Sequence, residues 1–279
     1  MKKLALCVGV DKYKYTSKEL KGCKNDALEW NSLLTNTFQF QEFNPPLLDE
    51  QATIDNVLSK LKDFISVLEE GDTGVFFFSG HGTSVESPSG SGEVDNREEA
   101  IYTYDGSIRD DYIRIELDKL NSKANMILIF DCCFSGTITD PMVKRIFPRI
   151  NDFGDSAIAS PLNKIISHKS PKYLPPEDEI IGLQMMNCPL RKRYLSSYLR
   201  DNEIVLTASN DKEYAYEDLI GDKYHGILTI TTLSLIRDNN EITYKDLFEN
   251  IRKYLPNSSF EQSPQLWIKK EKLENPVLT

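Results

Sequence analysis

The chain has 279 residues, of which 40% are hydrophobic and 27% are charged, with 14 glycines and 13 prolines. This composition provides enough apolar material for one large α/β domain or two small ones without disulfide or metal support. The 43 acidic residues outnumber the 33 basic ones and give a formal net charge of -10, which argues against a nucleic-acid partner.

The first residues and the cysteines predict a soluble chain with reduced thiols. The sequence contains no apolar run near the ~18 residues that a membrane-spanning helix needs. The Met-Lys-Lys start leads directly into a short apolar strand without a cleavage site. We therefore expect a cytoplasmic protein with no membrane partner. The five cysteines include no C-x-x-C pair, which favours free thiols over a disulfide framework or a zinc ribbon.

Apolar periodicity predicts strands that alternate with helices. Short apolar runs predict buried strands, whereas apolar residues spaced three and four apart predict amphipathic helices. In chain order we expect a strand at 4–10, helices at 25–38 and 53–69, strands at 74–79, 125–130 and 203–208, helices at 226–237 and 244–254, and a strand at 265–268. Thr53 is the expected N-cap of the second helix. The alternation favours a three-layer α/β sandwich with a mostly parallel sheet.

Two long segments interrupt this pattern. Residues 84–111 are polar and acidic with one short apolar patch, so we expect a surface excursion there. Residues 141–200 lose periodicity and are rich in proline and in basic residues, as an inserted linker would be. These basic residues include Lys144, Arg145, Arg149, Lys164, Lys169, Lys172, Arg191, Lys192 and Arg193.

Two predicted strands end in loops that carry a histidine and adjacent cysteines. SGHG occupies 79–82 and DCCFSG occupies 131–136, so that Cys133 follows His81 by 52 residues. Right-handed crossovers place both strand ends at one edge of the sheet, where α/β folds carry their chemistry. A cysteine nucleophile needs a nearby imidazole and backbone N–H groups directed at the developing oxyanion. A lone histidine or cysteine is usually a loop or packing residue, but this pair has the chain order and approximate spacing found in caspases and predicts a catalytic dyad.

The two loops resemble the signature of the metacaspases. The resemblance extends to the first strand, to LKGCKNDA at 20–27, to LDEQAT at 48–53 and to EEAIY at 98–102, and it covers residues 203–279 more loosely. It implies a caspase-like three-layer α/β/α sandwich with about six strands in its central sheet. It also implies one domain over 1–279, with a large-subunit-like part at 1–140, a linker or insertion at 141–200 and a small-subunit-like part at 201–279.

The resemblance assigns catalytic roles to the two loops. Cys133 takes the position of the nucleophile and His81 that of its acid/base partner, while Cys132 is expected to be a buried packing residue. Phe134 departs from the histidine that the family often carries after the nucleophile. The backbone N–H groups of Gly82 and Cys133 are expected to bind the oxyanion.

The resemblance also implies a pocket for a basic residue immediately before the cleaved bond, the P1 residue. Paired carboxylates at the sheet edge would bind a guanidinium or ammonium group. Taken alone, Asp26 could instead interact favourably with the dipole at the N-terminus of its helix, and Asp131 could orient its loop through backbone hydrogen bonds. The stretch that contains Asp211 departs from the family pattern, because Asn210 replaces a cysteine that is usual in the family. The expected pocket residues are Cys23, Asp26, Ser79, Asp131 and Asp211.

Four aspartates resemble the calcium ligands of calcium-dependent metacaspases. They are Asp95, Asp110, Asp111 and Asp140. Calcium prefers several oxygen ligands and would relieve the repulsion between converging carboxylates. A solvated acidic loop is the alternative, and the sequence VDNREE around Asp95 departs from the usual pattern of the family. No organic cofactor is expected.

These features together predict a cysteine endopeptidase that cleaves proteins after arginine or lysine and is stimulated by calcium. Because 141–200 contains many basic residues, it is either a site of self-cleavage or an ordered insertion over the active site. One alternative function is a catalytically silent caspase-fold module that binds a partner protease. Another is a different peptidase of the same clan, such as a separase-like, legumain-like or CHAT-type enzyme. A regulatory protein is a possible partner.

Overall fold

The computed structural model describes residues 1–86, 97–133, 168–175, 200–210 and 213–279. Its helices are α1 (Cys23–Asn36), α2 (Ile54–Ser66), α3 (Asp110–Leu117), α4 (Ile227–Asp238) and α5 (Tyr244–Tyr254). Its strands are β1 (Lys3–Gly9), β2 (Gln41–Glu42), β3 (Leu47–Leu48), β4 (Thr73–Ser79), β5 (His81–Glu86), β6 (Arg97–Thr103), β7 (Gly106–Arg109), β8 (Asn125–Asp131), β9 (Ser170–Pro171), β10 (Glu203–Thr207), β11 (Tyr216–Ile220), β12 (Lys223–Gly226) and β13 (Gln265–Trp267).

The central sheet has the strand order β13-β10-β8-β4-β1-β2, and β3 also pairs with β1. Its pairs are parallel except for β13, which runs antiparallel to β10. The register places Ser79 level with Gly9 on one side and with Asp131 on the other. The carboxyl ends of β1, β4 and β8 therefore meet at one edge, as the crossover argument predicted. The expected mostly parallel sheet is confirmed.

Helices cover both faces of the sheet and bury its alternating side chains. In β4, Phe76 and Phe78 face a cluster that includes residues of α2 and α3, whereas Val75 and Phe77 face α1, α4 and α5. Successive side chains of a strand point to opposite faces, so one fully apolar strand can supply both cores. The expected three-layer α/β/α sandwich is confirmed.

The boundaries of most predicted elements shift by only a few residues. Thr53 is the N-cap of α2, as predicted, and its side chain accepts a hydrogen bond from the Asn56 N–H at 3.2 Å. Thr243 caps α5 in the same way, at 3.0 Å from the Asp246 N–H. Within the described ranges, no helix combines the length and the hydropathy that crossing a membrane requires.

The prediction that 84–111 is a surface excursion is wrong for 84–86 and 97–111, and the remainder, 87–96, lies outside the described residues. Strands β5, β6 and β7 form a second, antiparallel sheet, and α3 follows directly. The apolar patch of this segment is fully buried at Ile101 and Tyr102, because it pairs with neighbouring strands on both sides. A run this short has no periodicity that distinguishes a buried strand from a loop.

A third sheet, β12-β11-β9, was not predicted from the sequence. Its hairpin turns at Gly221, whose φ of +68° favours glycine. The strand β9 lies within 141–200, and it pairs with β11 of the C-terminal part. This pairing brings a short piece of the predicted linker to the edge of the main sheet.

Candidate active site

Three predicted pocket residues meet at the carboxyl edge of the central sheet. Ser79 ends β4, Asp131 ends β8, and α1 brings Asp26 over the same edge. The Ser79 hydroxyl donates a hydrogen bond to Asp26 Oδ2 at 2.8 Å. Gly9 permits this arrangement, because a Cβ there would lie 2.4 Å from the Cys23 carbonyl oxygen. The helix can thus approach β1 closely enough for its first turn to reach the edge.

The side chain of Lys172 fills the space between these residues. Its Nζ lies 3.0 Å from Asp131 Oδ1 and 3.2 Å from Asp26 Oδ2, and it donates to Ser79 Oγ at 2.9 Å. The lysine and both carboxylates are fully buried. Lys172 is one of several basic residues in 141–200, and the sequence offered no signal that distinguished it from the others.

The charged groups in this pocket shift one another's pKa values. Burial alone would lower the pKa of Lys172, but the carboxylates of Asp131 and Asp26 hold it well above its usual value. Burial opposes ionisation of Asp26 as well, yet Lys172 and hydrogen bonds from His225 and Ser79 lower its pKa. Burial raises the pKa of Asp131, although Lys172 opposes that shift. The pocket therefore favours a cation, which pairs with both carboxylates.

Residues of the C-terminal part close this pocket, and no sequence pattern predicted their role. His225 Nδ1 lies 3.1 Å from Asp26 Oδ1, and the Gly226 N–H donates to both carboxylate oxygens of Asp26 at 3.0 Å. The Thr229 N–H, in the first turn of α4, donates to Asp131 Oδ2 at 2.9 Å. A Cβ on Gly226 would lie 2.3 Å from Lys172 Nζ, so a larger residue there would displace the buried ion pair.

Cys23, another predicted pocket residue, lies beside this group. Its N–H donates to Asp11 Oδ1 at 2.7 Å, and its thiol lies within 4.8 Å of carboxylate oxygens of Asp11 and Glu217. Burial raises the pKa of the Cys23 thiol well above its usual value. Burial also raises the pKa of Glu217 to about 7, although backbone N–H groups of Lys21 and Gly22 oppose the shift.

The carbonyl oxygen of Lys172 contacts both backbone donors that the resemblance implied. It accepts hydrogen bonds from the Gly82 N–H at 2.9 Å and from the Cys133 N–H at 3.3 Å. The carbonyl of Gly82 in turn accepts from the Leu174 N–H at 3.0 Å. A Cβ on Gly82 would lie 1.8 Å from the Cys133 carbonyl oxygen, so only glycine allows the two loops to come this close.

The two adjacent cysteines point to opposite faces of the sheet. Cys132 is buried in the cluster beneath α2, whereas Cys133 belongs to the cluster that contains α1 and α4. The Cys133 thiol accepts from the Ala215 N–H at 3.1 Å and donates to the Ala215 carbonyl at 3.6 Å. Burial raises the pKa of this thiol to about 12, against hydrogen bonds from Ala215 and Lys172. The thiol is therefore protonated while the strand that contains Lys172 is bound.

His81 is held from both sides. Its Nε2 lies 2.8 Å from the Lys18 carbonyl, and its backbone N–H donates to the Tyr13 hydroxyl at 2.9 Å. Burial lowers the pKa of the imidazole to about 4, although the carbonyls of Lys18 and Lys172 raise it. Since a carbonyl can only accept, Nε2 carries the proton of the neutral ring. Nδ1 is then a proton acceptor, and within the described residues it is buried without a hydrogen-bond partner.

The segment around Lys172 is bound as an added strand. Pro171 pairs with Tyr216 and Ser170 with Glu217 in an antiparallel ladder, and the Lys172 N–H donates to the Ala215 carbonyl at 2.9 Å. An extended peptide that adds to the edge of a sheet is a general mode of peptide recognition. The chain therefore presents its own segment to its candidate active site in the manner of a peptide ligand.

The predicted calcium ligands are only partly described. Asp110 and Asp111 begin α3, and Asp110 Oδ1 accepts a hydrogen bond from the Asp111 N–H at 2.8 Å. Asp95 and Asp140 lie outside the described residues, as does the pocket candidate Asp211. Both described carboxylates are hard oxygen donors that suit calcium in type. Within the described ranges, neither belongs to a group of three metal-ligating side chains.

Comparison with solved structures identifies the fold. The fold matches that of a protein from Geobacter sulfurreducens with a TM-score of 0.70 at 17% identity, over 100% of this chain and 99% of that one. It also matches caspase-1 from Spodoptera frugiperda with a TM-score of 0.54 at 9% identity, over 96% of this chain and 86% of that one. The fold is thus caspase-like.

Comparison of sequences then identifies the family. A sequence profile described as "Metacaspase, peptidase C14 domain" matches residues 3–142. Metacaspase-4 from Arabidopsis thaliana is 33% identical over 153 residues, which cover 52% of this chain and 36% of that protein. The chain therefore spans little more than a third of the length of this relative. It belongs to the metacaspase family of cysteine-type peptidases.

Proposed function

We propose that this chain is a cysteine endopeptidase that cleaves proteins after lysine or arginine. The single observation that supports this proposal best is the position of Lys172. Its ammonium group pairs with Asp26 and Asp131, while its carbonyl oxygen accepts hydrogen bonds from Gly82 and Cys133. These are the contacts that a P1 residue and its scissile carbonyl would make.

In the proposed mechanism, Cys133 Sγ attacks the carbonyl carbon of the P1 residue. His81 Nδ1 accepts the thiol proton and donates it to the leaving amine, and the oxyanion is stabilised by the two backbone N–H groups. His81 then activates the water that hydrolyses the thioester. The Lys18 carbonyl keeps the ring in the tautomer that leaves Nδ1 free to accept.

We also propose that the chain cleaves itself at the Lys172–Tyr173 bond, within the predicted segment 141–200. In the bound arrangement the Cys133 thiol is hydrogen-bonded to Ala215 and its pKa is raised to about 12 by burial. Cleavage therefore requires the thiol to rotate toward the carbonyl carbon and to ionise. Until that happens, the bound segment blocks the site, so the uncleaved chain is a zymogen.

Calcium is the proposed activator, with Asp95, Asp110, Asp111 and Asp140 as its ligands. The ion would neutralise converging carboxylates and so favour one arrangement of the loops that carry them. This part of the proposal, like the division at 140 and 200, depends on the family resemblance.

Peptide cleavage tests the proposal directly. Fluorogenic peptides with arginine, lysine or aspartate at P1 are incubated with wild type, Cys133→Ala and Cys132→Ala, in calcium or in chelator. We expect release after arginine and lysine that is lost in Cys133→Ala and retained in the matched Cys132→Ala control. Release after aspartate alone would refute the assignment of a pocket for a basic P1 residue. Unchanged release in Cys133→Ala would refute the assignment of Cys133 as the nucleophile. No release from any peptide, with fragments absent as well, would favour a silent binding module.

A further inference from the structure

The bound strand makes a second side-chain contact, three residues before Lys172. The Nζ of Lys169 lies 5.0 Å from the centroid of the Tyr216 ring and donates a hydrogen bond to the Ser259 carbonyl at 2.9 Å. Counted from the Lys172–Tyr173 bond, Lys169 is the P4 residue. A lysine ammonium over an aromatic face gains a favourable electrostatic interaction.

The aromatic face is held in place by its surroundings. The Tyr216 ring packs against Phe260 at 6.1 Å and edge-on against Tyr214 at 6.5 Å between centroids. The Tyr216 N–H donates to Gln262 Oε1 at 3.0 Å, and the fully buried Gln262 donates to the Ala208 carbonyl. The ring is thus braced by two aromatic neighbours, and its backbone is anchored to the C-terminal part.

The Ser259 carbonyl is presented by a tight turn. Asn257 Oδ1 accepts hydrogen bonds from the Ser259 and Phe260 N–H groups at 2.8 and 2.9 Å, and the Asn257 N–H donates to the Phe260 carbonyl at 2.8 Å. These bonds fix the backbone of the turn independently of Lys169. The carbonyl oxygen is therefore already oriented before a ligand binds, which lowers the entropy lost on binding.

The charge around this place also favours a cation. Burial raises the pKa of Tyr216, and the nearby carboxylates of Glu261 and Glu213 raise it further. Upstream, the His168 N–H donates to Asp218 Oδ1 at 2.8 Å, so the ligand backbone remains bound beyond the P4 position. A P4 side chain consequently lies against the Tyr216 ring and near the carboxylates of Glu213 and Glu261.

We propose that Tyr216 and the Ser259 carbonyl form a subsite for a lysine or arginine at P4. The inference rests on the proposed function and narrows its substrate class to proteins with two basic residues separated by two others, cleaved after the second. Neither group touches the reacting atoms, so the subsite selects the substrate and takes no part in the chemistry.

Paired peptides test the subsite. The self-processed enzyme is given Lys-Ser-Pro-Lys and Ala-Ser-Pro-Lys, each with a fluorogenic leaving group, and the ratio of the two kcat/KM values is measured. We expect the peptide with lysine at P4 to be preferred about three- to tenfold, since the contact combines a cation–π interaction with a charge-assisted hydrogen bond. Tyr216→Phe keeps the ring and should keep this ratio, whereas Tyr216→Leu removes the cation–π contact and should lower the ratio, leaving only the contribution of the Ser259 carbonyl.

The outcomes separate the subsite from the proposed function. Cleavage of both peptides at equal kcat/KM would overturn the subsite and leave the peptidase standing. If neither peptide is cleaved, the proposed peptidase activity is refuted. The subsite is then tested by fluorescence polarisation of the labelled peptides with the variant Cys133→Ala/Lys172→Ala. This variant can neither cleave nor fill its own pocket. Tighter binding of the lysine peptide, diminished in Tyr216→Leu, would support the subsite, and equal dissociation constants would overturn it.

Discussion

Replacing Lys172 with methionine removes the ammonium group and keeps a side chain of similar length. In the wild-type chain this group is fully buried and contacts two carboxylates, Asp131 at 3.0 Å and Asp26 at 3.2 Å. Removing one member of a buried ion pair costs about 3–5 kcal/mol, because the remaining charge is left without compensation. The Lys172→Met strand should therefore leave the pocket, which water can then fill.

The weaker binding of residue 172 in the pocket sets the expected size of the effect on self-cleavage. About 3 kcal/mol corresponds to a decrease of more than 100-fold in the fraction of chains with residue 172 in the pocket. If cleavage requires residue 172 to be bound in the pocket, the rate of cleavage at the 172–173 bond falls by the same factor. Lys172→Arg keeps the positive charge and should remain cleavable.

The assay follows the intact mass of purified chains over time, in calcium and in chelator. Wild type and Lys172→Arg should yield fragments 1–172 and 173–279, whereas Lys172→Met and Cys133→Ala should remain intact. Lys164→Met, in the same segment, is the matched control and should be cleaved like wild type. Cleavage of Lys172→Met at the same bond and rate, or wild-type cleavage only at another basic residue, would refute the reasoning.

Three further predictions concern the dyad. Gly82→Ala should reduce kcat/KM for a basic-P1 peptide at least about 100-fold, because its Cβ would displace an oxyanion donor, and an unchanged value would contradict the role of that N–H. Tyr13→Phe leaves the buried His81 N–H without its hydrogen-bond partner, so the free energy of unfolding should decrease by about 1–3 kcal/mol. If Tyr13 positions His81, the substitution should change kcat more than KM. Equal effects on kcat and KM would argue against this positioning role. Below pH 6.5 the unfolded chain protonates His81, whereas the folded chain, with a pKa of about 4, does not. The free energy of unfolding of Cys133→Ala should therefore decrease by up to about 3 kcal/mol between pH 6.5 and 4, and urea titrations should show a shallower decrease in Cys133→Ala/His81→Gln.

Several features of the candidate site were predictable because they depend on local sequence. Apolar runs that end in SGHG and DCCFSG placed His81 and Cys133 at strand ends, and parallel pairing brought those ends to one edge. The alternation of side chains in β8 continues just past its last residue, Asp131, and separates the two cysteines, so that Cys133 lies on the same face as α1. These results need only strand periodicity and the handedness of crossovers.

Other features could not be predicted from the sequence because they depend on contacts between distant segments. The buried strand β6 looked like part of a polar loop, since its apolar character becomes evident only when β5 and β7 pair with it. His225 and Gly226 bind Asp26 from 199 and 200 residues away along the chain. No pattern within β12 distinguishes these two residues from ordinary members of a hairpin.

The sequence by itself determined the layered α/β architecture, the positions of the thiol and imidazole, and the acidic residues at the sheet edge. Only the tertiary structure decided which of the basic residues of the linker enters the pocket. The physical reason is that a buried ammonium is stable only where carboxylates compensate its charge, and Asp26 and Asp131 come together through long-range pairing. Local sequence sets which groups a chain can offer, whereas the packing of its sheets sets which of them meet.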